Sequence, residues 1–386
     1  MKRQTIIRRM VGVVVILGVV LLSTPGGQAA RARAVPTPSP HCGGWTIVPS
    51  PNPTDYKNEL YAVAAISASD VWAVGDSEAI RDPEVALVEH WDGTRWAVVP
   101  SPNPGTSFSV LYGVAAVSAS DVWAVGWDNT GPLIDHWDGT SWQSVTSPAV
   151  LGTLVGISAQ SASDIWAVGD QAGDQPLSEH WDGTAWHIVP APGVPNYASQ
   201  FTSVSVLSAT DAWAVGYAAI YRGPSNTLIE HWDGQQWSIV PSPNGSKGKH
   251  RFNILWSVTA VSAQNVWAVG RQGISTLNEQ WNGSTWSVVS PAPTGIANGV
   301  VALTASDVWA VGDADVNYTY ATFTEQWNGT RWQQVASPSV TATTISASYY
   351  NYLLGVSASS AHNIWAVGYV LAYNGGNTST LIEFYC

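Results

Sequence analysis

The sequence predicts an all-β protein, a seven-bladed β-propeller of four-stranded antiparallel blades, because two motifs repeat along it. A WAVG segment occurs seven times at spacings of 42 to 56 residues, beginning at Trp72, Trp123, Trp166, Trp213, Trp267, Trp309 and Trp365. A second motif, HWDGTxW and its variants, follows six of these copies and sets two tryptophans five residues apart. Such a period is typical of propeller blades or helical arrays. No useful helical period appears after residue 42, which favours blades.

Each repeat divides into four short strands. Across residues 112–147, the runs YGVAAVS, VWAVGW, LIDHWDG and SWQSVTS are rich in Val, Ile and Trp, and turn residues separate them. The first run alternates small residues such as Gly113 and Ala115, so we expect it to be innermost, where blades converge. Two tight turns of constant length, SASD and Asp-Gly, must share one face of the disc. The loops of variable length then lie on the opposite face, called here the variable face.

The repeated side chains are expected to be structural. Twenty of the 22 tryptophans occupy the repeated positions, where burial between blades suits their volume. Four histidines share one repeated position on separate blades and are not expected to converge on a metal ion: His90, His136, His180 and His231.

The ring is predicted to close through the two ends of the chain. The seventh copy ends at Cys386, after its third strand. Residues 44–51 match the fourth strand at residues 95–102, with Trp45 in the place of Trp96. The N-terminal strand should therefore complete the last blade.

The same alignment brings the only two cysteines together. Cys386 falls at the position of Asp92 and Cys42 at that of Gly93, which are adjacent in a hairpin turn. In an exported protein this placement favours a disulfide between Cys42 and Cys386. Two unpaired terminal thiols are the alternative.

Residues 1–34 have the pattern of a secretory signal peptide. Four basic residues precede an apolar run at residues 10–22, and small-x-small cleavage sites follow at residues 30–34. A Pro-rich linker at residues 35–41 then leads to the propeller at residues 42–386. An uncleaved membrane anchor is the alternative, although the apolar run is shorter than the ~20 residues of a spanning helix. We expect a secreted or cell-surface protein that leaves the membrane after cleavage.

Charge limits the class of partner. Removal of residues 1–34 would leave nine basic and 27 acidic residues, a formal charge of −18. This acidity disfavours nucleic acid and anionic membranes as partners. We expect a monomer.

The repeat resembles that of bacterial secreted β-propellers with WAVG and HWDGTxW motifs, and more distantly those of kelch, tectonin and Asp-box propellers. The resemblance covers residues 42–386 and implies the fold. It does not imply a function, because propellers include lectins, hydrolases, lyases and scaffolds. The chain departs from the enzyme families in two ways. Asp92 and Gly93 are adjacent, whereas an Asp-box has a residue between them. A sialidase-like site would also need a cluster of three arginines, but Arg95 and Arg331 lie in the constant turns, on the opposite face. No catalytic triad or metal-ligand spacing stands out, so no catalytic residue, metal or cofactor is expected.

Two positions in each repeat are predicted to border the mouth of the central channel on the variable face. The start of the innermost strand provides Tyr61, Tyr112 and Trp256 as candidate ligand-binding residues. The position after WAVG provides Asp76, Trp127, Asp170, Tyr217, Arg271, Asp313 and Tyr369. Trp127 and Trp256 are the two tryptophans outside the repeated positions. Aromatic faces beside polar groups suit a sugar or a peptide.

Three functions remain open from the sequence. The leading hypothesis is an exported non-enzymatic module that binds a glycan or a protein at the variable face. A hydrolase or lyase acting on polysaccharide, with acids from Asp76, Asp170 and Asp313, is the first alternative. A structural cell-surface protein, whose aromatics only pack loops onto the disc, is the second.

Overall fold

The computed structural model describes residues 43–386, apart from 103–107, 150, 221–222, 245–251, 291–294, 317–318, 342–348 and 374–375. The predicted signal peptide, linker and Cys42 lie outside the described residues. The described chain forms seven four-stranded antiparallel sheets, the blades of a propeller. The all-β, seven-bladed prediction is therefore confirmed.

Strand bounds follow the repeats closely. Blade 1 contains β2 (Lys57–Ser67), β3 (Asp70–Glu78), β4 (Val85–Trp91) and β5 (Trp96–Val98). Blade 2 contains β6 (Ser109–Ser118), β7 (Asp121–Asp128), β8 (Gly131–Trp137) and β9 (Trp142–Ser144). Blade 3 contains β10 (Gly152–Ser161), β11 (Asp164–Gln171), β12 (Gln175–Trp181) and β13 (Trp186–Ile188). Blade 4 contains β14 (Ala198–Ser208), β15 (Asp211–Ala219), β16 (Ser225–Trp232) and β17 (Trp237–Ile239).

The remaining blades continue the pattern. Blade 5 contains β18 (Asn253–Ser262), β19 (Asn265–Gln272), β20 (Ser275–Trp281) and β21 (Trp286–Val288). Blade 6 contains β22 (Ile296–Thr304), β23 (Asp307–Val316), β24 (Thr319–Trp327) and β25 (Trp332–Gln334). Blade 7 contains β26 (Tyr349–Ser360), β27 (Asn363–Ala372), β28 (Thr378–Tyr385) and β1 (Trp45–Ile47). The first strand of each blade contacts that of the next, and β26 contacts β2, so the ring is closed.

Blade 7 is completed by the N-terminal strand, as the sequence predicts. Strand β1 pairs antiparallel with β28, and Trp45 faces Tyr385 in the register. The amide of Gly43 also donates a hydrogen bond of 2.9 Å to the carbonyl oxygen of Cys386. The Cys42–Cys386 disulfide stays a prediction, since Cys42 lies outside the described residues.

A tryptophan clasp joins each blade to the next. Trp72 of blade 1 packs against Trp137 and Trp142 of blade 2, with ring centroids 4.9 and 5.4 Å apart. The second contact is edge-to-face, at 79°, an arrangement that aromatic quadrupoles favour. The same three-ring contact recurs between later blades, so the core consists of seven similar interfaces.

The clasp also spans the junction of the chain ends. Trp365 of blade 7 packs on Trp91 and Trp96 of blade 1, at 5.1 and 5.4 Å. Trp309 of blade 6 packs on Tyr385 and Trp45 of blade 7, at 4.5 and 5.8 Å. Because Trp45 belongs to β1, the N-terminal strand supplies core volume as well as backbone pairing.

The constant turns are held by the repeated histidine and tryptophan. His90 Nε2 lies 2.8 Å from Asp70 Oδ1, and its ring packs 4.3 Å from that of Trp72. Trp91 Nε1 donates a hydrogen bond of 3.1 Å to the carbonyl oxygen of Ala68. Equivalent histidine contacts occur at His136, His180 and His231. These contacts give the four histidines a structural role.

A fully buried carboxyl group occurs in the third strand of every blade. The seven residues are Glu89, Asp135, Glu179, Glu230, Glu279, Glu325 and Glu383. Ser144 Oγ donates to Asp135 at 2.9 Å and Ser147 Oγ to Glu179 at 2.7 Å. Burial raises the pKa of Glu89, Glu279 and Glu383 to about 8 and that of Asp135, Glu179 and Glu230 to about 7. Sequence analysis missed this row, although an acid stands before the His, Gln or Phe of every copy.

The buried carboxyl groups should make the protein less stable in alkali. Their pKa values are raised on folding, so the unfolded chain releases protons at lower pH than the folded one, and stability falls between about pH 5 and 8. We expect a higher melting temperature at pH 5 than at pH 9. In the described structure the carboxyl oxygens of Glu89 have no hydrogen-bond partner. Glu89→Gln removes the buried charge that forms at pH 9, so it should raise the free energy of unfolding at that pH by roughly 2 kcal/mol or more.

The control for this effect is the same variant at pH 5, where Glu89 is protonated and the substitution should change stability little. Thermal melts of both proteins across this pH range measure the effect. A wild-type melting temperature that rises from pH 5 to pH 9 would contradict the assignment.

The predicted disulfide should add a covalent link to the β1–β28 pairing that joins the two ends of the chain in blade 7. A non-reducing digest of the secreted protein should contain a Cys42–Cys386 cross-linked peptide. Cys386→Ser should lower the melting temperature yet leave the far-ultraviolet spectrum unchanged, because the seven tryptophan clasps remain. Free alkylation of both cysteines under native, oxidising conditions would show that the bridge is absent.

Candidate functional site

An axial cavity of about 220 Å³ lies among the first strands of the blades, at their variable-face end. Its lining includes one residue from the same position of every blade, and we call this set the mouth ring. The mouth ring consists of Tyr61, Tyr112, Val155, Thr202, Trp256, Asn298 and Leu354. The structure therefore brings Tyr61, Tyr112 and Trp256, three of the predicted site residues, to one cavity.

A β-bulge positions each residue of the mouth ring. The pairing of β2 with β3 skips Tyr61, since Leu60 pairs with Gly75 and Ala62 with Val74. The same shift occurs at the equivalent residue of the other six blades. A bulge re-aims a side chain and leaves it outside the ladder. Seven bulges at equivalent positions therefore place one side chain of every blade outside the ladder.

The glycine of each WAVG motif makes the bulge possible. A Cβ atom at Gly75 would lie 1.9 Å from the carbonyl oxygen of Glu59, and one at Gly126 would lie 1.9 Å from that of Val110. No side chain tolerates such a distance to backbone. The repeated glycine thus reflects a close approach of the first strand to the second, opposite the bulge.

The residues after WAVG are not among those that line the cavity, and their predicted role at the channel mouth stays a prediction. They lie on the second strand, where Asp76 pairs with Glu59 and Tyr369 with Tyr352. Four of them are buried: Asp76, Tyr217, Asp313 and Tyr369. Three are partly exposed: Trp127, Asp170 and Arg271. These residues are absent from the cavity lining because the bulge turns only the residue of the first strand toward the axis.

Tyrosines concentrate on blades 6 and 7, where they form a continuous row. Tyr373 contacts Tyr350 at 5.6 Å, and Tyr350 contacts Tyr320 at 5.4 Å. Tyr320 stacks on Tyr352 at 5.5 Å, and Tyr352 contacts Tyr369 at 5.0 Å. The row runs from the exposed Tyr373 to the buried Tyr369. The row therefore places aromatic rings across the variable-face side of two neighbouring blades.

A compact charge cluster lies in blade 1, beside the mouth ring. Lys57 Nζ lies 2.7 Å from Asp76 Oδ2 and 3.6 Å from Glu59 Oε2, and it also pairs with Glu84. The hydroxyl of Tyr61 donates a hydrogen bond of 2.7 Å to Glu59. Burial and the neighbouring carboxyl groups raise the pKa of Asp76, and burial is the largest cause of the raised pKa of Tyr61. One lysine thus faces three acidic side chains.

Sequence analysis missed Lys57, Glu59 and Glu84. The available signal was the run KNEL at residues 57–60, where charged residues begin a first strand that is otherwise apolar. A strand interior does not hold such charges unless they are paired.

A second polar group lies in blade 6. Asn298 of the mouth ring donates hydrogen bonds from Nδ2 to Asp313 Oδ1 at 2.9 Å and to the carbonyl oxygen of Leu353 at 3.0 Å. Burial raises the pKa of Asp313 to about 6, against the opposing effects of Asn298 and Arg271. The guanidinium carbon of Arg271 lies 5.9 Å from the ring centroid of Phe252. Asp313 is therefore tied to the scaffold rather than free in the cavity.

The described ranges bear on two further features, metal ligands and membrane-spanning helices. Within them, no three His, Cys, Asp or Glu side chains are arranged to hold a metal ion. The same part of the chain contains no helix with the length and apolar character of a membrane span.

Comparison with known proteins identifies the fold and no family. No family model and no curated sequence matches the chain. Similar solved structures include YCF48 bound to D1 peptide, with a TM-score of 0.55 and 17% identity over 95% of this chain and 100% of that one. YCF48 from Cyanidioschyzon merolae has a TM-score of 0.53 and 12% identity over 89% and 99%. The WD40 repeats of RRP9 have a TM-score of 0.56 and 10% identity over 88% and 97%. At these identities the likeness concerns the β-propeller fold alone.

Proposed function

We propose that this protein is an exported, non-enzymatic binding module that recognises a glycan or a protein at the variable face. The observation that carries the proposal is the mouth ring, in which bulges aim Tyr61, Tyr112 and Trp256 into one cavity. Aromatic rings that line a concave site beside a few polar groups are typical of a ligand-binding pocket.

The surroundings of the cavity support binding. The tyrosine row adds phenol hydroxyls and ring faces, which serve a sugar through stacking and hydrogen bonds or a peptide through packing. Among solved structures of similar fold, YCF48 has been captured with a D1 peptide. A propeller of this size therefore offers enough surface for a polypeptide ligand.

The contacts of the candidate acids weigh against the hydrolase or lyase alternative. Asp76 is fully buried and pairs with Lys57, whereas Asp313 accepts a hydrogen bond from Asn298. A glycosidase needs two carboxyl groups that reach the scissile bond from a shared cleft. Neither Asp76 nor Asp313 lines the cavity.

The proposal that the protein is exported rests on residues 1–34. Their basic start, apolar run and small-residue sites match a secretory signal, and the mature protein would act outside the cell or on its surface. Intact-mass analysis of secreted protein should show loss of about the first 29 to 34 residues.

Two tryptophans of blade 5 separate binding from folding. Trp267 is fully buried in a clasp, so Trp267→Ala should cost roughly 3 to 5 kcal/mol of stability. Trp256 is partly exposed at the cavity, so Trp256→Ala should leave the melting temperature nearly unchanged. Trp127, also partly exposed, should behave like Trp256. Melting of the Trp256 variant as low as that of the Trp267 variant would make Trp256 part of the core.

A ligand screen tests the function itself. Secreted protein should be applied to a glycan array and to a displayed library of random peptides. We expect at least one class of binder whose affinity falls roughly thirtyfold in Trp256→Ala or Tyr112→Ala, as for an anchoring aromatic residue. Arg95→Ala, at an exposed site in a constant turn, is the matched control and should bind normally. Binders that ignore both cavity variants would place the site elsewhere.

A further inference from the structure

Exposed apolar side chains gather on the variable face. Of twelve large exposed hydrophobic residues in the described chain, eight lie in the loops or at the strand ends of that face, with at least one on every blade. Ile274, Leu151 and Ile80 are 92%, 63% and 61% exposed. The others are Phe108, Ile220, Phe252, Val316 and Tyr373.

The rest of the surface differs. The remaining four, Val98, Ile188, Ile239 and Val288, end the outermost strands of their blades, and none of the twelve occupies a constant turn. We call the eight residues the apolar rim. A face that holds most of the exposed large apolar side chains is a candidate interaction surface.

The chemistry of the apolar rim distinguishes between ligand classes. A sugar stacks on aromatic rings and is held by hydrogen bonds, so exposed Ile, Leu and Val side chains add little to its binding. A protein partner buries such side chains with a gain of about 25 cal/mol per Å² of apolar surface. The rim spans all seven blades and thus exceeds the footprint of a single sugar ring.

The charge at the centre of this face is negative. Lys57 pairs with Glu59 and Glu84 as well as with Asp76, whose pKa is raised by burial, so the one cation is matched by at least two carboxylates. Glu59 also receives the hydroxyl of Tyr61, which places a carboxylate directly behind the mouth ring. A partner that brings a positive charge to this point is electrostatically favoured.

The mouth ring offers a cation the right surface as well. The rings of Tyr61 and Tyr112 lie 5.4 Å apart at 45°, and Trp256 lines the same cavity. Aromatic faces attract Lys and Arg head groups through the ring quadrupole, most strongly where water is displaced. The cavity volume of about 220 Å³ accommodates one long side chain.

We infer that the partner is a protein segment that inserts a lysine or arginine into the axial cavity and lays apolar neighbours on the apolar rim. The cationic head lies over the ring faces of Tyr61 and Tyr112 that line the cavity, close to Glu59, while flanking apolar side chains pack on residues such as Ile274. This inference rests on the proposed function and selects protein over glycan. The acidic centre also makes an anionic lipid surface a poor occupant.

The test uses secreted full-length protein and a displayed library of random twelve-residue peptides. Enriched peptides should share a Lys or Arg flanked by apolar residues. Replacing that basic residue with Ala in a selected peptide should weaken binding at least about tenfold. Raising the salt concentration should also weaken the binding of the selected, unsubstituted peptide, because the attraction is partly electrostatic.

Matched variants test each half of the site. Glu59→Gln and Tyr112→Ala should each weaken the selected peptide by roughly tenfold and abolish the preference for a basic residue. Ile274→Ser should weaken binding several-fold, whereas Val288→Ser, on the outer strand of the same blade, should not. Melting temperatures of all variants show that the fold is intact.

The outcomes separate the two proposals. Glycan binding at the mouth ring without peptide binding overturns the protein partner and leaves the binding module standing. Peptides enriched without a basic residue overturn the cationic anchor. Binding of phosphatidylcholine vesicles through Ile274, in place of peptides, overturns the protein partner in favour of a lipid surface. Binding of none of these probes overturns both proposals.

Discussion

The tryptophan clasp between neighbouring blades is the contact on which the rest of the structure depends. Each clasp packs the WAVG indole against two aromatic rings of the next blade, both of them indoles in six of the seven clasps, so every blade is half of two interfaces. Stability is then a sum of similar nearest-neighbour terms. At the interface between blades 6 and 7, Trp309 packs on Tyr385 where the other clasps have an indole. The interface keeps its packing because the tyrosine ring fills the space of that indole.

The repeated core leaves the side chains at the centre of the disc free to vary. The bulged residue of each first strand takes no part in the ladder, and the repeated glycine opposite it keeps the backbone in place. As a result, the mouth ring holds residues as different as Val155, Thr202 and Trp256 on one backbone. Chemistry at the axis can differ from blade to blade while the clasp stays the same.

The sequence predicts the fold well because the signals for it are local and repeated: the WAVG strand, the Asp-Gly turn and the Trp45 match that closes blade 7. It also predicts the mouth ring from position in the repeat. It could not show that Asp76 is buried beside Lys57, because their pairing depends on the bulge and on contacts across strands. The buried Glu89 row was visible as a repeated acid, but its burial depends on packing between blades.

The shared seventh blade has a consequence for how the molecule is made. Strand β1 is the first to emerge in synthesis, yet its partner β28 is among the last. Until Trp45 reaches Trp309 and Tyr385, both ends of the array expose unpaired edges and bare indoles. A chain cut short before β28 therefore leaves the edge of β27 unpaired and the indole of Trp309 without the Tyr385 ring.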